Sequence, residues 1–348
     1  MEMAASKPTM SFTFLELLDR TFRIYRENFW TFIGLVALVT IPLSIINLII
    51  TLPSLSAMSE FSTFGRSANT SQLSSTFCMA ALITIVVGLL QFVLTTAPIT
   101  YIASENQMGR RVSIGEAFSA TRPRFASLAF GLILLGVVVF AAALFLGLVS
   151  AICAIAFAAF GVVAYIGIAT YAFLAPVLVL ENVGASFGLN RSWALGKARF
   201  WMVVAVWAAI AVISFVISLA FTAAAEWLIS QVIPPTTSTM TIQVINTVLS
   251  TFISLFTVPL LPIGFTLLYY DTRTRLEGLD IALQALGNPN ARPWDVVSPS
   301  GGAGLNSKDW VNIIILTVGA VVISVAFGAL VVSLFNSFLP AGSFNVPR

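Results

Sequence analysis

The residues of this chain best placed to do chemistry are four acids, Glu105, Glu181, Asp271 and Glu277, and four arginines, Arg122, Arg191, Arg273 and Arg275. Carboxylates inside a membrane could relay protons, and guanidinium forks match the oxygens of a phosphate headgroup. Other chemistry is excluded at the outset. The chain has no histidine, which removes a histidine general base, a histidine-ligated metal and a Ser-His-Asp triad. Cys78 and Cys153 lie at or within apolar runs without C-x-x-C spacing, so each reads as a small buried hydrophobe rather than a redox or metal group. No metal, no cofactor and no enzymatic activity are expected.

The elements that must position these residues follow from composition. Of 348 residues, 58% are hydrophobic and 9% charged, against roughly 45–50% and 25% in a soluble domain. No charge occurs in 28–59, 67–104, 125–180, 200–225, 227–270 or 310–347, and apolar runs beyond about 18 residues mark membrane spans. The expected fold is an all-α polytopic integral membrane protein with about seven transmembrane helices. They run roughly from Trp30 to Leu52, Phe77 to Ala103, Phe125 to Leu148, Ile152 to Leu180, Phe200 to Ser230, Ile242 to Leu268 and Trp310 to Leu339. The stretch 125–180 would be about 84 Å long as one helix, so it must turn back once, around Gly147 to Ala154.

Of the 17 lysines and arginines, 15 fall in connections on one side of this scheme, and only Arg66 and Arg348 on the other. The positive-inside rule then puts the N-terminus in the cytoplasm and the C-terminus outside a plasma membrane. No cleavable signal peptide is legible, so the first span is expected to stay. The pI near 9.1 comes with a net charge of only +3, and its bases gather at membrane edges. That distribution points to anionic lipid headgroups rather than nucleic acid. The expected organisation is a cytoplasmic segment (1–29), a six-span core (30–271), a cytoplasmic amphipathic helix and flexible linker (272–309), the seventh span (310–339) and an outer tail (340–348).

The segments before the first, third and fifth spans resemble one another. LDRTFRIYRENF (18–29), IGEAFSATRPRF (114–125) and LNRSWALGKARF (189–200) align without gaps at offsets of 96 and 75 residues. Leu18, Ile114 and Leu189 are aliphatic; Phe22, Phe118 and Trp193 aromatic; Arg26, Arg122 and Lys197 basic; Phe29, Phe125 and Phe200 aromatic. The first three columns step by four, so each segment can lay an apolar stripe on the membrane surface while its base reaches the headgroups. Pro123 and Gly196 are expected to end or kink two of these helices. At the exits, Pro98, Pro176 and Pro262 are each followed by an acid, Glu105, Glu181 and Asp271. The unit of interfacial helix, span out and span back is therefore expected three times, over about 11–105, 106–181 and 182–271.

Beyond the sixth span, YYDTRTRLEGLDIALQAL (269–286) reads as one amphipathic helix, with Leu276, Leu279, Leu283 and Leu286 on one stripe and Asp271 paired to Arg275. Its acids are expected to dock against bases of the interfacial helices, Arg191 or Arg122. The alternative is a headgroup pocket built by Arg191, Arg273 and Arg275. Glu181 reads as an interface acid rather than a proton relay, and Glu226, beside Trp227, as an outer-face anchor. Asn47, Gln91 and Asn246 are expected to bridge helices. The Pro/Gly/Ser-rich stretch 287–308 reads as a mobile, solvated linker.

Three stretches, LDRTFRIYRENFWTFIGLVALVTIP, LVLENVGASFGLNRSWALGKARFWMV and LPIGFTLLYYDTRTRLEGLD, give the chain a resemblance to the membrane-domain family named after glycerophosphoryl diester phosphodiesterase. The likeness covers about residues 11–285, and YYDTRTRLEGLD is its most specific part. The family name derives from members with a separate catalytic domain; this chain carries none, so the resemblance implies a membrane fold and not that activity. The function expected is a non-enzymatic scaffold or accessory subunit of a bacterial membrane assembly, with membrane lipids and other integral membrane proteins as partners. A transporter or transporter subunit, and a headgroup-binding protein or membrane-embedded lipid enzyme, are the alternatives.

Overall fold

The computed structural model describes residues 11–64, 70–149, 153–232, 237–288, 291–299 and 304–338. Among them there is no strand, and twelve α-helices follow in order. They are α1 (Phe14–Glu27), α2 (Phe29–Phe64), α3 (Thr70–Gln107), α4 (Ile114–Thr121), α5 (Phe125–Val149), α6 (Cys153–Leu180), α7 (Ala185–Ala198), α8 (Phe200–Val232), α9 (Thr239–Thr257), α10 (Leu260–Glu277), α11 (Leu279–Ala285) and α12 (Ser307–Phe338). In hydrocarbon every backbone polar group must be satisfied within its own segment, which helices alone achieve without closing a barrel.

Six stretches of the described residues are long and apolar enough to cross a membrane: Phe29–Thr51, Cys78–Gln107, Ile114–Ala142, Gly161–Leu180, Phe200–Gln231 and Met240–Glu277. The chain is therefore a multi-pass membrane protein in architecture. Large side chains such as Ile45, Leu82, Phe140, Phe215 and Val248 are exposed along these helices, a surface that suits lipid and not water. The expected seventh span coincides with α12, much of whose side chains lie outside the described residues, as does the outer tail. The turn expected around Gly147 to Ala154 falls between the end of α5 at Val149 and the start of α6 at Cys153. Cys78 is not buried as expected but exposed; its neighbours Met79 and Leu82 are exposed with it, because an apolar residue in a span need only avoid water.

Two compact units divide the chain, Met1–Leu134 with Ala169–Gly302, and Leu135–Ile168 with Ala303–Arg348. In the smaller unit the Tyr165 hydroxyl donates to Asp309 Oδ1 at 2.7 Å, and a Cβ at Gly161 would strike the Thr317 side chain. Close helix approach through small residues drives such packing in membranes.

The larger unit carries its ion pairs around the C-terminal ends of α3, α6 and α10. There the short helices α1, α4 and α7 precede α2, α5 and α8, and α1 and α7 pack against α10 while α4 packs against α3. α1 and α4 both open with capping boxes: Thr13 and Glu16, and Ser113 and Glu116, satisfy each other's backbone N–H groups. The chain breaks at Pro123, where α4 gives way to a 3₁₀ turn, Arg122–Arg124. It does not break at Gly196, because α7 runs on to Ala198. Gly196 serves a different need: a Cβ there would collide with the Ala169 backbone of α6. The sixth span is not one rod either. α9 stops at Thr257 and α10 starts at Leu260, since Pro259 supplies no N–H and its ring clashes with the preceding turn.

Candidate functional site

The three exit acids are all buried, with Glu105 2%, Glu181 6% and Asp271 0% exposed. Each meets two arginines, and the surroundings differ.

Glu181, at the end of α6, lies in the most enclosed cluster. Its Oε2 is 3.1 Å from Arg191 Nε, and its Oε1 accepts from the Tyr269 hydroxyl at 3.0 Å and lies 3.5 Å from Arg273 Nη1. Arg273 Nε donates to Glu277 at 2.9 Å, and Arg191 Nη2 donates to the same carboxylate oxygen at 2.6 Å. The side chains of Arg191 and Arg273 are 3% and 1% exposed. Burial alone would push the Arg191 pKa down; the Glu277 hydrogen bond and the charges of Glu181 and Glu277 outweigh it and hold the guanidinium above its usual range. Two carboxylates and two guanidiniums thus neutralise one another, with Tyr269 bridging Glu181 and Arg273.

Asp271 closes a second cluster. Its Oδ1 accepts from the Phe12 backbone N–H at 2.7 Å and from Arg275 Nε at 2.8 Å, and its Oδ2 accepts from Arg199 Nη2 at 2.9 Å. Arg275 Nη2 donates to the Phe12 carbonyl at 3.0 Å. One peptide residue just before α1 is thereby held by both its N–H and its C=O. Glu105 forms the third cluster, with Arg110 Nε at 2.6 Å and Arg292 Nε at 3.1 Å, both bases about a third exposed. Next to it Ser104 and the Tyr270 hydroxyl are hydrogen-bonded at 2.7 Å.

Of the residues singled out from sequence, Glu105, Glu181, Arg191, Asp271, Arg273, Arg275 and Glu277 all enter these clusters. Arg122 does not: it is exposed on the 3₁₀ turn that follows the end of α4 at Thr121, and among the described residues it makes no ion pair. Phe22 and Phe118 are half-buried, Trp193 is buried, Arg26 is exposed, and Lys197 lies 5.6 Å from the Trp193 ring centroid. The run 269–286 is two helices and not one. Gly278 at φ +62° ends α10 in the left-handed conformation that glycine adopts without strain, so Leu279 and Leu283 are buried while Leu276 and Leu286 are exposed. The linker, expected to be solvated, is partly docked: Ala291 and Pro293 are buried and Arg292 reaches Glu105. Asn47 and Gln91 bridge α2 and α3 through Thr84 and Thr40, and Glu226 is exposed.

Sequence reasoning missed Arg110, Arg199 and Arg292 as partners, together with the clamp on Phe12. Arg199 is the next-to-last residue of the third aligned segment and Arg110 follows Glu105 by five residues, which was the available signal; nothing local marks Arg292 or Phe12. Among the described residues no three acids or cysteines come close enough to share a metal ion. Comparison with protein families, curated proteins and solved structures finds no match.

Proposed function

We propose that this chain is a non-enzymatic integral membrane scaffold or accessory subunit, resembling the membrane part of the glycerophosphoryl diester phosphodiesterase family. In this reading seven spans run with the N-terminus in the cytoplasm and the C-terminus outside, and α1, α4 and α7 are the interfacial helices of a threefold repeat. The observation that carries it is how the charged end disposes of its charge. The four acids of that end, Glu105, Glu181, Asp271 and Glu277, are each paired with arginines of the same chain. Of the bases outside these clusters, Arg23, Arg26, Arg111 and Arg122 are exposed, as headgroup contacts would be. Trp30 and Trp201 are 80% and 44% exposed one residue after the aligned Phe29 and Phe200, where interfacial tryptophans belong.

The test is extraction of the tagged chain from its native membrane into lipid nanodiscs, followed by native mass spectrometry. A stoichiometric integral membrane partner is expected, with anionic lipid retained and lost on joint Arg26→Ala and Arg122→Ala substitution. Recovery of the chain alone, with lipid retention unchanged in that variant, would overturn the reading. For orientation, a cysteine at Ser67 should label from outside and one at Ser298 only from within; labelling of both from one side defeats it.

A further inference from the structure

We infer that a cavity inside the larger unit binds a neutral amphiphile, an alkyl or prenyl chain that ends in an uncharged oxygen function. The cavity has a volume of about 410 Å³ and is walled by α3, α6, α8 and the α9–α10 break, within the range of roughly 300–1,000 Å³ typical of small-molecule sites. Its α3 lining runs from Gly88 to Thr100, which is about 18 Å along the helix at 1.5 Å per residue. Thr100 lies five residues before Glu105, so the cavity ends roughly 8 Å above the buried charges. Among the lining residues Gly88 and Ala211 are exposed, and Trp207 is 45% exposed. The mouth is therefore lateral, on the faces of α3 and α8 that suit lipid.

The chemistry of the wall selects the ligand. No Asp, Glu, Lys or Arg lines the cavity, so an ionised headgroup taken inside would lose its water with no counter-charge in return. Phe92, Trp207 and Phe265 offer apolar surface for a chain. The polar part of the lining is uncharged and includes the hydroxyls of Thr96, Thr100 and Tyr171. Some lining hydroxyls are already satisfied: Thr95 donates to the Gln91 carbonyl and Thr257 to the Ile253 carbonyl. Thr100 is fully buried and its hydroxyl has no partner. A buried, unpaired hydroxyl is costly, and here it lines a lipid-accessible cavity, where a ligand oxygen would accept its hydrogen bond.

This inference goes beyond the scaffold reading and does not depend on it, because a chain with no partner would still be labelled. The full chain in nanodiscs is photolabelled with a diazirine hexadecanol and, separately, with diazirine palmitate at pH 8, where the carboxylate is ionised. The alcohol is expected to label saturably, at peptides from 88–100 and 207–214, at least fivefold more than the carboxylate. Thr100→Val, which keeps shape and removes the hydroxyl, is expected to cut that labelling three- to tenfold, as loss of one hydrogen bond implies, and Thr100→Ser to restore it. Ala211→Phe should block the mouth independently. Competition by dioleoylglycerol would mark the natural ligand as a glycerolipid, and competition by a polyprenol as an isoprenoid. Equal labelling by alcohol and carboxylate, competition by neither lipid, or labelling unchanged in both Thr100→Val and Ala211→Phe would overturn the proposal.

Discussion

Glu181 and Glu105 occupy the same place in sequence, an acid shortly after a proline near the end of a returning span, and the fold uses them differently. Around Glu181 both arginines are sealed, 3% and 1% exposed, and a second carboxylate completes a neutral quartet. Around Glu105 the bases are 27% and 35% exposed, and one of them arrives from beyond the six-span core. An identical sequence signal thus yields an internal knot in one case and a surface clasp in the other. What decides is the supply of charged neighbours: α7 and α10 both reach Glu181, whereas among the described residues the bases on Glu105 come from its own loop and the stretch around Arg292.

The comparison breaks most sharply on Glu181. Removing one partner of a buried ion pair leaves an uncompensated buried charge, worth about 3–5 kcal/mol. Glu181→Ala should therefore lower stability by about that amount, read as the loss in thermal or denaturant unfolding of the detergent-solubilised chain. A loss no larger than that of Glu105→Ala would erase the distinction between knot and clasp.

Asp271 is intermediate, since it is itself buried but its arginines are partly exposed and can turn to water. Hydrogen bonds to charged groups are worth about 1.5–3 kcal/mol, and Asp271→Ala should cost about 2 kcal/mol. Its particular signature is local: with the Phe12 clamp released, limited proteolysis should cut before α1. The exposed Asp295, which accepts from the Arg292 backbone, is the control, and Asp295→Ala should stay within about 0.5 kcal/mol.

Glu105→Ala should cost about 1 kcal/mol, because Arg110 and Arg292 regain solvent when their acid is lost. Its readout is amide hydrogen exchange in 291–295, which should quicken markedly while exchange in α7 stays unchanged. Exchange quickening equally in both would mean that the clusters are one cooperative body.

These clusters also mark where sequence stops being informative. Gaps in charge locate the long helices, since a run without charge must avoid water whatever it packs on. The aligned aromatic and basic columns lie on partly or fully accessible sides of α1 and α4, as at Arg26 and Arg122, while in α7 the aromatic column is buried at Trp193. The column that packs inward stands one residue earlier. It holds Thr21, Ala117 and Ser192, each with 0% exposure, and its hydroxyls are satisfied by the carbonyls of Leu17 and Gly188. Small residues carry little hydropathy, so a search for apolar stripes passes over them, yet close approach to another helix needs them. The same holds for Gly196, which reads as a helix stop and is a contact with α6. Arg292 was illegible for another reason: its pairing spans 187 residues, and nothing in a Pro/Gly-rich stretch announces an anchor.

The smallest effect concerns how the short helices begin. α1 starts with a capping box, whereas α7 starts at Gly184 with no side-chain cap and is held through Arg191 and Arg199. The Thr13 backbone N–H, assisted by the Thr13 hydroxyl, holds the Glu16 carboxyl below its ordinary value of 4.5. A carboxyl whose pKa is depressed by folding stabilises the fold fully above the unfolded value and loses that contribution as pH falls through the folded one. Glu16→Gln should therefore speed hydrogen exchange at the first turn of α1 at pH 6, and the difference between variant and wild type should fade as the pH falls below 4.5. The first turn of α7 should respond to the variant at neither pH, since its start depends on arginines anchored elsewhere. A difference at α1 that persists undiminished at low pH would mean that the amide of glutamine and the carboxylate cap this helix by different contacts, and that the contrast between a locally capped helix and an ion-anchored one is misdrawn.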